Sequence, residues 1–91
     1  MIQHIVMLSL KDDVQPGDLQ NVMTELDALR VKVLGFDRFS HGPNKDFEAK
    51  SQDYPYGFIC TFTGRSALQN YANHPEHKRL GARLVALCIN G

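Results

Sequence analysis

Four side chains in this sequence join acid–base chemistry to a telling spacing: His4, Tyr71, His74 and His77. A neutral imidazole titrates at about pH 6.5, so it takes and gives protons under ordinary conditions. A phenol beside it can hydrogen-bond a carbonyl or enolate oxygen, and together the two could run general acid–base chemistry at a carbon next to a carbonyl. His74 and His77 stand three apart, a spacing that lets helix neighbours face together. No carboxylate or cysteine completes a familiar ligand set, so no metal site is expected, and no cofactor is expected. Each residue also has a structural reading. His77 can be a buried histidine bonded to backbone, holding a helix on a sheet. Tyr71 can be core with its hydroxyl on a partner, as buried tyrosines usually are. His74 can cap the last helix. Structural, ligand-binding and catalytic roles stay open at this level.

Size and composition narrow the frame. Ninety-one residues make a single domain, 1–91. A chain this short leaves much of its surface wet, so a second subunit, a metal or disulfides usually support it. Cys60 and Cys88 belong to no CxxC or CxxH motif and read as small buried apolar residues. Ten basic and ten acidic residues balance, and no Lys/Arg stripe is interleaved with aromatics, which argues against nucleic-acid binding. The opening MIQHIVMLSL lacks the basic lead and cleavage site of a secretory signal. No apolar run approaches a membrane span. A cytoplasmic location without membrane attachment is the expectation.

The elements that would position these residues follow from pattern. Ile2 to Leu10 reads as a strand apolar on both faces, which predicts that both are covered. Pro16 and Asp18 suit the first turn of a helix. Leu19, Val22, Met23, Leu26, Leu29 and Val33 then form one apolar stripe, on a helix of about 15 residues. After Gly35 a second strand runs through Phe36, Arg38 and Phe39 toward His41. Gly42 to Pro55 reads as an exposed loop. Tyr56 to Thr63 is the clearest strand, with Tyr56, Phe58, Cys60 and Phe62 on one apolar face. Ser66 to Tyr71 is a short helix. Asn73 and Glu76 are spaced as a capping box for a last helix, whose apolar side is Leu80, Leu84, Leu87 and Cys88. Asn90-Gly91 is a stop signal. The order β-α-β-β-α is the α+β, ferredoxin-like split βαβ arrangement without its last strand.

Several local patterns coincide along nearly the whole chain. They are the Met1-Ile2-Gln3-His4-Ile5-Val6 start, Leu34-Gly35-Phe36, and His41-Gly42-Pro43-Asn44 followed by a polar loop with Glu48. Tyr54-Pro55-Tyr56-Gly57-Phe58, Ala67-Leu68-Gln69-Asn70-Tyr71 and His74-Pro75-Glu76-His77 complete them. This resembles the stress-responsive α/β-barrel domain family, most specifically over Tyr71 to His77. The resemblance implies a homodimeric α/β barrel, each subunit carrying helices on one sheet face and packing the other against its partner. Family members usually continue past the last helix into a fourth strand; this sequence departs from that pattern by stopping at Gly91, so either the protein ends early or the strand lies outside this sequence. Members range from stress-induced proteins without assigned chemistry to a plant polyketide cyclase, olivetolic acid cyclase. By that likeness His77 would be the base, Tyr71 the oxygen binder and His4 part of the pocket wall. The cyclase has a histidine where this chain has Gly57, so its substrate does not carry over.

Two functions compete. One is a homodimer whose apolar pocket, lined by His4, His74 and Phe58, holds a small hydrophobic molecule without turnover. The other is a cofactor-independent cyclase, lyase or monooxygenase-like enzyme using His77 and Tyr71. A purely structural oligomer is a third. A closed apolar cavity at His77 and Tyr71 would favour binding or catalysis; full packing of both would argue against the enzyme.

Overall fold

A computed structural model describes residues 1–43 and 56–89. Their order is β1 (Ile2–Leu8), α1 (Pro16–Ala28), a 3₁₀ turn (Leu29–Val31), β2 (Phe36–Pro43), β3 (Tyr56–Phe62), α2 (Arg65–Asn73) and α3 (Pro75–Leu87). The sheet runs β1-β3-β2, and both pairings are antiparallel. This is the expected ferredoxin-like α+β architecture.

β1 ends at Leu8, earlier than the Leu10 expected. Its partner β3 runs out at Tyr56, opposite Leu8, and the chain then turns to a different partner. Leu10 pairs singly with Cys88, the Ile89 N–H donates to the Ser9 carbonyl at 2.8 Å, and the Lys11 N–H donates to the Leu87 carbonyl at 2.9 Å. β2 is longer than expected, because Gly42 and Pro43 pair with Gly57 and Tyr56 instead of opening a loop. Pro43 is tolerated because β2 lies at a sheet edge, where a missing N–H breaks no ladder bond. A register shift between Phe36 and Arg38 puts Phe36 opposite Phe62 and Phe39 opposite Cys60. The bulge thus turns both phenylalanines, three apart in sequence, to one face. Residues 44–55 of the expected loop, and the Asn90-Gly91 stop signal, lie outside the described residues.

α1 starts as its sequence directs, with Pro16 in the first turn and the Asp18 carboxylate accepting the Gln15 N–H at 3.4 Å. Leu19, Val22, Met23 and Leu26 are its buried stripe, and the stripe continues through the 3₁₀ turn to Leu29 and Val33. Gly35 then reverses the chain at φ 87°, a conformation costly for any residue with a Cβ. A Cβ there would also stand 2.6 Å from Thr63 Oγ1 and 2.7 Å from the Ala67 Cβ.

α2 runs longer than the Ser66–Tyr71 stretch expected, which changes the cap of α3. Asn73 is the last residue of α2, so the cap position falls on His74. Its extended backbone lets Nδ1 accept the Glu76 N–H at 3.1 Å. The Asn73–Glu76 capping box is therefore replaced by a histidine cap. Glu25 of α1 accepts from Arg79 at 2.9 Å and from Arg83, both on α3, and Arg79 also reaches Glu76 at 2.9 Å. These exposed pairs clamp the two helices together weakly.

The core lies on one side of the sheet. Leu8, Phe36, Phe58, Cys60 and Phe62 meet Leu19, Val22, Met23, Leu26, Tyr71 and Leu80 there. Phe36 stacks on Phe62 at 4.9 Å between ring centroids. The opposite face, which the register assigns to Gln3, Ile5 and Met7, Gly57, Ile59 and Thr61, and Arg38, Ser40 and Gly42, carries no helix. Ile5 is 61% and Met7 44% exposed. Within one subunit β1 is covered on a single face, not on both.

Candidate functional site

α2 delivers Tyr71 into the core, 2% exposed, with its ring 5.0 Å from Phe36 and 5.1 Å from Phe62. The Cys60 thiol donates to its hydroxyl at 3.8 Å. Burial pushes the Tyr71 phenol far above its ordinary value and raises the Cys60 thiol to about 11, so neither ionises near neutrality. α3 places the half-buried His77 ring on Tyr71, centroids 4.2 Å apart. His77 Nδ1–H donates to the Ala72 carbonyl at 3.3 Å, leaving Nε2 as the nitrogen able to accept a proton. Burial lowers the His77 pKa; the Ala72 bond opposes this, while charges on His4 and His74 add to it.

Four expected residues thus gather at one corner. His4 stands opposite Cys60 in the β1–β3 register and is exposed. Cys60 touches Tyr71, Tyr71 carries His77, and His74 lies close enough to act on His77 electrostatically. Phe58 lies apart from them. It is buried at 5% exposure, pairs with Val6 and His41, and packs 5.6 Å from Phe39. What the corner offers chemically is a neutral imidazole backed by a phenol whose hydroxyl is already engaged inside the core.

Two depressions mark the open face instead. One, of about 270 Å³, is bordered by Ile5, Met7, Ser40, Gly42, Gly57 and Ile59 among others. A wider one of about 520 Å³ is more polar, with Gln3, Asp27, Arg30, Arg38 and Thr61 on its walls. Neither is lined by Tyr71 or His77. Among the described residues no group of three or more His, Cys, Asp or Glu side chains could hold a metal, and no helix is long and apolar enough to cross a membrane.

One polar pair escaped the sequence reading. His41 Nδ1 and the Tyr56 hydroxyl are 2.5 Å apart. Ending the second strand at His41 hid it. Carried two residues further, the strand pairing sets His41 diagonal to Tyr56 on the face that also bears Phe39.

Comparison with known proteins agrees with this fold. A crystal structure of a dimeric ferredoxin-like protein of unknown function from Jannaschia sp. is 48% identical, with a TM-score of 0.91 over 98% of this chain and 86% of that one. A protein of Arabidopsis thaliana is 23% identical at a TM-score of 0.85, over 96% and 84%. The hydroxynitrile lyase of Passiflora edulis is 12% identical at a TM-score of 0.82, over 96% and 82%, a likeness of fold alone. None of the curated proteins matches. The family model of the Stress responsive A/B Barrel Domain matches residues 2–90, and the chain belongs to that family.

Proposed function

We propose that the chain acts as a homodimer, open sheet face against open sheet face, that holds a small apolar molecule without turnover. The observation that carries this is the uncovered sheet face, with the apolar side chains of Ile5 and Met7 in the open. A marginal domain that leaves such a face wet gains most by burying it against a second copy. The dimeric Jannaschia protein, at 48% identity, supports the same reading.

The ligand site in this reading is the hollow on that face. Gly42 and Gly57 are register partners, and Met7 completes their row. Two of three strands therefore offer no side chain at that level. Facing sheets pack about 10 Å apart, so a row without side chains leaves space that a second subunit would roof. A hollow of about 270 Å³ approaches the smaller ligand pockets.

The second reading is a cofactor-independent acid–base catalyst with His77 as base, Tyr71 binding an oxygen, and His4, His74 and Phe58 around the substrate. The close, tilted contact of a neutral His77 with Tyr71 favours it. The engaged, sealed hydroxyl of Tyr71 weighs against it. Native mass spectrometry of the purified protein tests both readings. A dimer carrying a small-molecule mass is expected, lost in Met7→Lys and kept in His77→Gln. Loss of the mass in His77→Gln alone would move the ligand to the histidine corner. A bare monomer at micromolar concentration would overturn the proposal.

A further inference from the structure

The His41–Tyr56 pair joins a polar hydrogen bond to an aromatic surface. The imidazole Nδ1 and the phenol oxygen are hydrogen-bonded at 2.5 Å, and either group can be the donor, depending on the imidazole tautomer. With Tyr56 donating, the pair turns outward one acceptor, the phenol oxygen, and one donor, the Nε2–H. With His41 donating, it turns outward one donor, the phenol O–H, and one acceptor, Nε2. In either arrangement the neutral pair presents one of each. A phenolic hydroxyl, itself donor and acceptor, is met in both; a carboxylate, which only accepts, is met by one group at a time.

The surroundings supply the other half of a binding site. Phe39 lies 5.6 Å from His41 and 5.6 Å from Phe58, and the His41 and Tyr56 rings are 5.9 Å apart. The four rings form a continuous aromatic patch on two adjacent strands, deepening from exposed His41 through half-buried Phe39 and Tyr56 to buried Phe58. Burial raises the Tyr56 phenol above its ordinary value, so it keeps its proton to share. The backbone beneath is a paired ladder, His41 opposite Phe58 and Pro43 opposite Tyr56, which fixes the geometry as loops do not. Among the described residues His41 Nε2 has no hydrogen-bond partner. We propose that His41 and Tyr56, with Phe39 as aromatic shelf, form a binding site for flat phenolic molecules. By register the side chains of the site lie on the helix-bearing face of the sheet, while His41 and Phe58 also border the glycine hollow.

The test is an NMR titration of the full chain at pH 8 with 4-methylphenol, toluene and benzoate as probes. A ligand this small binds in the millimolar range, so titration runs to about 20 mM. 4-Methylphenol should shift the His41 Hε1 and Tyr56 ring resonances saturably. Toluene should bind at least about fivefold more weakly, since it lacks the hydroxyl, and benzoate should also fall below 4-methylphenol. Tyr56→Phe and His41→Ala should each weaken 4-methylphenol at least about fivefold while leaving the backbone spectrum elsewhere intact. If His41→Ala disturbs the fold, His41→Phe keeps the aromatic patch and reads out the polar pair alone. Absence of a saturable shift at His41, or toluene binding as tightly as 4-methylphenol, or unchanged affinity in Tyr56→Phe, overturns the proposal.

Discussion

At the scale of single residues, the corner around Tyr71 is governed by desolvation. The folded chain lowers the His77 pKa below its ordinary 6.5, chiefly by burial. The unfolded chain then binds the proton more readily, so acid favours unfolding. Stability is expected to be full above pH 6.5 and to fall as the pH drops through the lowered value. Urea unfolding across pH 5 to 8 checks this, and His77→Gln should flatten part of the slope. Cys60, with its thiol raised to about 11 by burial, should resist iodoacetamide in the native protein, while half-buried Cys88 reacts first; mass mapping after short exposures reads the order. Tyr71→Phe removes only a long thiol contact and is expected to cost less than about 1 kcal/mol in chemical denaturation. The residue types of this corner were legible from sequence, since Tyr71, His74 and His77 fall close together around the junction of α2 and α3. That Tyr71 would be sealed was not, because its seal comes from Phe36, Phe62 and Cys60, which arrive from two other strands.

At the scale of elements, two junctions carry the layout. His74 separates α2 from α3 and caps the second with its own ring. His74→Ala is expected to cost about 1 kcal/mol, and His74→Asn to recover most of it, as thermal melts would record. Gly35 turns the chain between the 3₁₀ turn and β2. Gly35→Ala combines positive φ with contacts under 3 Å and is expected to cost about 2 kcal/mol or more. Periodicity in the sequence located α1, β1, β3 and α3, because each has a regular apolar repeat. It failed at the margins of β2. A bulge at Asp37 breaks the alternation there, and Gly42-Pro43 has a loop's composition but a strand's pairing. The polar pair His41 and Tyr56 depends on those pairings and was invisible for that reason.

At the scale of the molecule, the sheet is finished on one side only. Placing a charge on the bare side, as Met7→Lys or Ile5→Lys, should convert dimers to monomers in sedimentation velocity without unfolding the subunit, because neither side chain is in the core. If the same variants leave the sedimentation coefficient unchanged, that side is not the contact. The fold was readable because β1 is apolar at both odd and even positions, a pattern with no explanation inside one subunit. What would cover the bare side lies outside the subunit, so its identity is not carried by the spacing of residues in this chain.

The first strand also waits longest. Among the described residues, Ile2 to Leu8 pairs with Tyr56 to Phe62, and Leu10 closes against Cys88. Synthesis must therefore run past Phe62 before this apolar strand meets the partner that pairs its amides. Folding should be late and concerted rather than progressive, and β1, before that moment, is the element most in need of shelter by a chaperone.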